Sequence, residues 1–133
     1  MKQYLDLVKE VLERGTRKEN RTGIDTISAF NINYSIDLGD GFPLLTTKEI
    51  SWKNIVVENL WFLSGDLHIG LLKKHNCKFW DHWADNEGFV PSAYGNFWRK
   101  FPAHGEPGYN DQVRYVLDTI KKVPNSRSMV ISA

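Results

Sequence analysis

A single cysteine, Cys77, stands among 133 residues. With no intrachain partner it cannot form a disulfide, and the expected compartment is a reducing cytoplasm. An excess of charge of one sign is also missing. Seventeen Lys and Arg face sixteen Asp and Glu for a net charge of +1, which leaves no electrostatic footprint for nucleic acid or an anionic membrane. No run approaches the ~20 apolar residues that a membrane-spanning helix needs. The opening "MKQYLDLVKEVLERG" carries charges every few residues in place of a continuous apolar segment, so no signal peptide is expected. There is no P-loop, dinucleotide fingerprint or G-x-S-x-G elbow, and no internal repeat or low-complexity linker. What is left is an ordinary globular composition, 41% apolar and 25% charged. The length suits one domain that buries about two-thirds of its unfolded surface.

What the sequence has in surplus is rings: five Trp, seven Phe and five Tyr, bunched between residues 52 and 101. That much ring surface serves either a heavy core or a pocket for a flat ligand. The elements around it read as mixed α and β. Tyr4, Leu5, Val8, Val11 and Leu12 mark an amphipathic helix over residues 2–13, stopped near Gly15. "RTG" at 21–23 is a turn. From Phe30 to Leu38 apolar and polar residues alternate, which predicts a half-buried strand, followed by the turn "GDG" at 39–41. "ISWKNIVVENLWFLSG" (50–65) is apolar all round, which predicts a buried helix ended by Gly65. A short helix is expected over 66–76, and 77–109 reads as irregular and loop-rich. "NDQVRYVLDTIKK" (110–122) returns to helix, with Asn110 or Asp111 as cap and Val113, Val116, Leu117 and Ile120 on one stripe. Pro124 stops it. Met129-Val130-Ile131, after a Pro-Asn-Ser turn signal, reads as a terminal strand.

Four groups of residues are candidates for chemistry. Glu58 lies in the most apolar helix, with Ile55, Trp61 and Phe62 at helical spacing. A carboxylate there is costly unless paired or protonated, and desolvation would push its pKa toward the range useful for proton transfer. The ordinary alternative is a glutamate that pairs with a lysine or reaches the surface. Arg21 in "NRTG" and Arg127 in "NSRS" each sit at a turn leading into an apolar element, where a guanidinium fork can meet a phosphate; plain surface arginines are the default. "FWDHWAD" (79–85) and "AYGNFWR" (93–99) gather three tryptophans and a tyrosine, which either stack on a heterocycle or pack a core. His75, Cys77 and His82 match no zinc spacing, so no metal site is expected. On these residues alone the chain is a mixed α/β domain with room for a flat ligand.

Seven blocks, "MKQYLDLVKEVLERGT", "RTG", "DGFPLLTTK", "ENLWFLSGD", "FWDHWAD", "YGNFWR" and "NSRSMVISA", resemble the thymidylate synthase family in order and spacing. The resemblance covers residues 1–133 and corresponds to the N-terminal half of the family's length, one portion of a single domain. It implies an α+β fold: a layered mixed β-sheet with helices on one side, the sheet forming the interface of a homodimer. It implies a cytoplasmic enzyme of nucleotide biosynthesis that reductively methylates dUMP to dTMP. In that reaction 5,10-methylenetetrahydrofolate is the one-carbon and hydride donor, and no metal takes part. Residue by residue, Arg21 matches a loop arginine over the nucleotide phosphate, and Arg127 one that crosses to the partner's phosphate. Glu58 matches the glutamate that organises water and protons around the pyrimidine carbonyl, and Tyr94 a tyrosine close to the nucleophile. Trp80 and Trp83 match tryptophans lining the folate side, and Lys48 a lysine near the folate tail.

Some positions depart from the family pattern. The family's second phosphate arginine is Ser128 here, which predicts weaker nucleotide binding. Ser51 stands where a folate-touching histidine is common, and Glu49 where a basic residue is common. Cys77 lies outside the block that carries the nucleophile and reads as a packing thiol. The family's nucleophilic cysteine belongs to the C-terminal half, so the isolated chain is expected to be inactive. Two further readings stand beside this one: a remnant that binds nucleotide or a partner and catalyses nothing, and a pyrimidine nucleotide hydroxymethylase.

Overall fold

Helix α1 (Lys2–Arg14) opens the chain because its apolar residues recur at helical spacing and its charges pair four apart, Lys2 with Asp6 and Glu10 with Arg14. The computed structural model describes residues 2–105 and 107–133. The chain divides into two compact units, residues 1–50 and 51–133. In the first unit, Gly15 N–H returns to the Val11 carbonyl at 2.8 Å and ends α1. Strands β1 (Thr16–Lys18) and β2 (Thr26–Ser28) then pair antiparallel, Arg17 opposite Ile27. Arg17 Nε donates to Asp25 at 2.6 Å across the base of the intervening loop. The turn at 21–23 forms as expected, with Gly23 N–H bonding to Asn20 O at 3.0 Å and Gly23 at φ +75°. Residues 39–41 turn through a 3-10 segment, Leu38–Asp40, capped by the Asp37 carboxylate on Gly39 N–H.

The second unit is built on α2 (Trp52–Ser64). Ser51 caps its start, and Gly65 ends it in the left-handed conformation at φ +71°, where a Cβ is disfavoured. After it come α3 (Gly70–Lys74), α4 (Tyr94–Arg99), the two-residue strands β3 (Phe101–Pro102) and β4 (Tyr109–Asn110), and α5 (Gln112–Lys122). Helices α2 and α4 cross closely because Gly95 has no side chain. A Cβ there would meet the Phe62 carbonyl oxygen at 2.6 Å and its Cα at 3.1 Å. Asp111 caps α5 by accepting from Arg114 N–H at 2.9 Å, as the sequence predicts. Trp61, Ile69, Leu72, Cys77 and Val90 are fully buried in one cluster between α2, α3 and the following loops.

Three expectations fail. Residues 30–38 form no regular strand, and Phe30 is 94% exposed. Among the described residues no strand pairs with this segment, and alternation alone cannot hold a strand whose backbone groups have no ladder to join. For the same reason residues 128–133 run without strand pairing, Val130 being 65% exposed. The strands that do form make two antiparallel pairs, β1–β2 and β3–β4, in a mixed α and β fold. Helix α2 is buried only at Val57, Trp61 and Phe62; Trp52, Val56, Leu60 and Leu63 face outward. Helix α5 forms as the sequence predicts, with Val113 buried and Leu117 and Ile120 half exposed. Residues 77–109, read as irregular and loop-rich, are mostly turns and loops and also carry α4 and β3.

Candidate functional site

Glu58 projects from α2 one helical turn before Phe62, and the loop after α3 returns to meet it. Cys77 N–H bonds to Leu72 O at 2.9 Å and Trp83 N–H to Trp80 O at 3.0 Å, so the loop is folded back as turns. This places the Trp80 indole N–H 2.6 Å from Glu58 Oε1. The hydrogen-bond partner of the half-buried carboxylate is therefore a neutral ring donor, and among the described residues Glu58 makes no ion pair with a lysine. A neutral donor satisfies one lone pair and leaves the group's charge and its other oxygen available.

Behind the indole, rings meet edge to face. Phe62 lies 5.7 Å from Trp80 at 90° and 5.3 Å from Tyr94 at 73°, and Trp80 lies 6.1 Å from Tyr94 at 89°. Trp61 adds a contact with Trp80 at 5.5 Å. Such geometry sets the positive edge of one ring against the negative face of the next, which fixes the Trp80 plane and with it the indole donor. Glu58, Trp80 and Tyr94 are thus brought together in one part of the second unit. Trp80 is both packing and site-facing. Tyr94 is half exposed, and its hydroxyl has no hydrogen bond among the described residues.

Of the remaining sequence candidates, the two in the second unit, Trp83 and Arg127, take part in neither the hydrogen bond nor the ring contacts of this cluster. Trp83 is 69% exposed and touches no other ring among the described residues. Arg127 lies exposed after α5, in a turn where Ser128 N–H bonds to Ser126 Oγ at 3.2 Å. Arg21 and Lys48 belong to the first unit, Arg21 in the β1–β2 loop, and both are exposed without an ion pair among the described residues. Cys77 is buried as a packing thiol; burial pushes its pKa up, and the nearby Glu58 charge acts in the same direction. No cluster of three or more metal-ligating side chains occurs among the described residues.

Sequence reasoning missed two residues that shape the site's surroundings. Arg99, at the end of α4, sends Nη1 to the Leu63 carbonyl at 2.8 Å and pairs with Asp111 through Nε at 3.0 Å and Nη2 at 2.8 Å. One guanidinium therefore joins the ends of α2 and α4 to the cap of α5. His68 accepts from Gly70 N–H at Nδ1 (3.0 Å), so Nε2 carries the proton and donates to Glu87 O at 3.1 Å. Its ring meets Phe89 at 5.0 Å. Neither residue has a motif; each is recognisable only once distant backbone carbonyls are in place.

Comparison with known proteins bears on the family of the chain. The sequence model of the thymidylate synthase family matches residues 2–133. A thymidylate synthase from Haloferax volcanii is 45% identical over 148 aligned residues, which cover 96% of this chain and 43% of the relative. The chain therefore spans less than half the length of that relative. A match that runs from residue 2 to residue 133 takes in both units, and on it the chain belongs to the thymidylate synthase family.

Proposed function

We propose that this chain supplies the folate-facing and proton-handling part of a thymidylate synthase, which reductively methylates dUMP to dTMP with 5,10-methylenetetrahydrofolate as one-carbon and hydride donor. The observation that carries the reading is the 2.6 Å contact of Trp80 with Glu58, braced by Phe62 and Tyr94. In this reading Glu58 orders water and relays protons at the pyrimidine carbonyl, and Trp80 holds its carboxylate in place. Trp80 and the exposed Trp83 offer ring surface to the flat pterin, and Tyr94 presents a free hydroxyl near the reacting carbons. Lys48 meets the anionic folate tail. Arg21 closes over the nucleotide phosphate, and Arg127 reaches the phosphate of a partner in a cytoplasmic homodimer built on a layered sheet. Guanidiniums suit a phosphate because they give charge and paired donors in one plane.

The nucleophile comes from a further portion, because the only cysteine here, Cys77, is buried and its thiol is held protonated. The same burial favours a second reading, in which the 133 residues bind nucleotide without catalysis. Tritium release from 5-tritiated dUMP in the presence of the folate separates the two. The chain alone should release none, and co-expression with the C-terminal portion of a relative should restore release. No release in either case sinks the catalytic reading, and release by the chain alone sinks the shared-site reading.

A further inference from the structure

Helix α5 carries two side chains that reach the segment bearing Arg127 at both of its ends. Gln112 Nε2 donates to Ser132 O at 2.8 Å, while Gln112 Oε1 accepts from Ser132 N–H at 2.8 Å. The second Nε2 hydrogen goes to Phe97 O at 2.8 Å, which ties the same amide to α4. One side chain thus takes both backbone groups of a single residue, as a hydrogen-bonded residue pair does between antiparallel strands. A turn further along α5, Tyr115 donates its hydroxyl to Ser128 O at 3.3 Å. Ser128 is the residue after Arg127. On the other side of Arg127, Ser126 N–H bonds to Val123 O at 2.9 Å and Ser126 Oγ accepts from Ser128 N–H. Arg127 is therefore the free member of a short loop held before it by the carbonyl of Val123, the C-cap of α5, and after it by side chains of α5, while its own guanidinium has no partner among the described residues.

We infer that Gln112 and Tyr115 are positioning residues that set the direction in which Arg127 presents its guanidinium, and so its capacity to bind a phosphate. The inference rests on the proposed nucleotide reading for the ligand but not for the anchoring. The chemistry of the amide is specific. A glutamate at position 112 accepts from Ser132 N–H but turns an anionic oxygen toward two carbonyl oxygens. A leucine leaves Ser132 with neither partner.

The test compares the unsubstituted chain with Gln112→Glu, Gln112→Leu and Tyr115→Phe, the last keeping its ring and hence its packing. Trypsin cleavage after Arg127 reads how firmly the loop is held, the urea midpoint reads global folding, and a dUMP titration followed at the Arg127 Nε resonance reads binding. About tenfold faster cleavage in the Gln112 variants, a smaller acceleration in Tyr115→Phe, and a dUMP requirement raised about tenfold at an unchanged urea midpoint support the inference. Cleavage rates and dUMP response equal to those of the unsubstituted chain overturn it. If dUMP leaves Arg127 unmoved even in the unsubstituted chain while the variants are still cut faster, the nucleotide reading fails and the anchoring by α5 stands.

Discussion

Trp80 donates its indole N–H to the Glu58 carboxylate across 2.6 Å, joining residues 22 apart in sequence. Trp80→Phe keeps most of the ring contacts with Phe62 and Tyr94 but removes the donor. The expected loss is about 1.5–3 kcal/mol, the range for a hydrogen bond to a charged group. Urea denaturation of Trp80→Phe, Glu58→Gln and the double variant would check it. Glu58→Gln keeps an acceptor, so Trp80→Phe should cost less on the glutamine background than on the native one.

Gly95 sits where α4 crosses α2, and an added methyl would meet the Phe62 carbonyl oxygen at 2.6 Å. Gly95→Ala is expected to destabilise by about 1–3 kcal/mol through overpacking, despite alanine's better helix propensity. A thermal melt decides it. A neutral or stabilising result would mean that α2 and α4 part at little cost, and that the ring cluster of Phe62, Trp80 and Tyr94 is not held by this crossing.

The buried Cys77 thiol has its pKa raised, first by burial and then by the Glu58 charge. A folded-state pKa above the unfolded one means that the native chain binds the thiol proton more tightly. The associated stability is complete below the ordinary thiol pKa, about 8.5, and is lost as pH rises from there through the folded-state value. Stability measured from pH 7 to 10 should therefore fall in the native chain and fall less in Cys77→Ala. At pH 8, modification by an aromatic disulfide reagent should be slow in the folded chain and fast in denaturant.

Ser128 occupies the position where the resemblance calls for a second phosphate arginine, and its side chain is exposed. Ser128→Arg should strengthen dUMP binding, since one charge-assisted contact is worth about 1.5–3 kcal/mol, or roughly tenfold to a hundredfold in affinity. The gain should shrink as salt is raised. Equal affinity in both chains would place the phosphate elsewhere.

These results show which parts of the molecule are written locally. The boundaries of α1, α2 and α5 follow from the spacing of Val8 and Val11, from Gly65 and from Asp111, because each of those signals acts within one or two turns. The chemistry of Glu58 is legible for a similar reason: a charge between Ile55 and Trp61 has to be accounted for. Its partner is not legible, since nothing near Glu58 in sequence points to Trp80. The strand expected over 30–38 fails on the same principle. Alternation from Phe30 to Leu38 specifies a face but supplies no neighbour, and pairing is a property of two segments. Arg99 escaped notice because its roles depend on the Leu63 carbonyl and the Asp111 carboxylate arriving from other helices.

The outward side of α2 has a bearing on how the chain behaves in bulk. Val56 and Leu60 lie two residues to either side of Glu58, about 160° around the helix from it, so the element that carries the acid also carries an oily ridge on its back. That ridge borders a hollow of about 370 Å3 floored by Val57 and Leu71. An exposed apolar ridge favours contact with other apolar surface over contact with water.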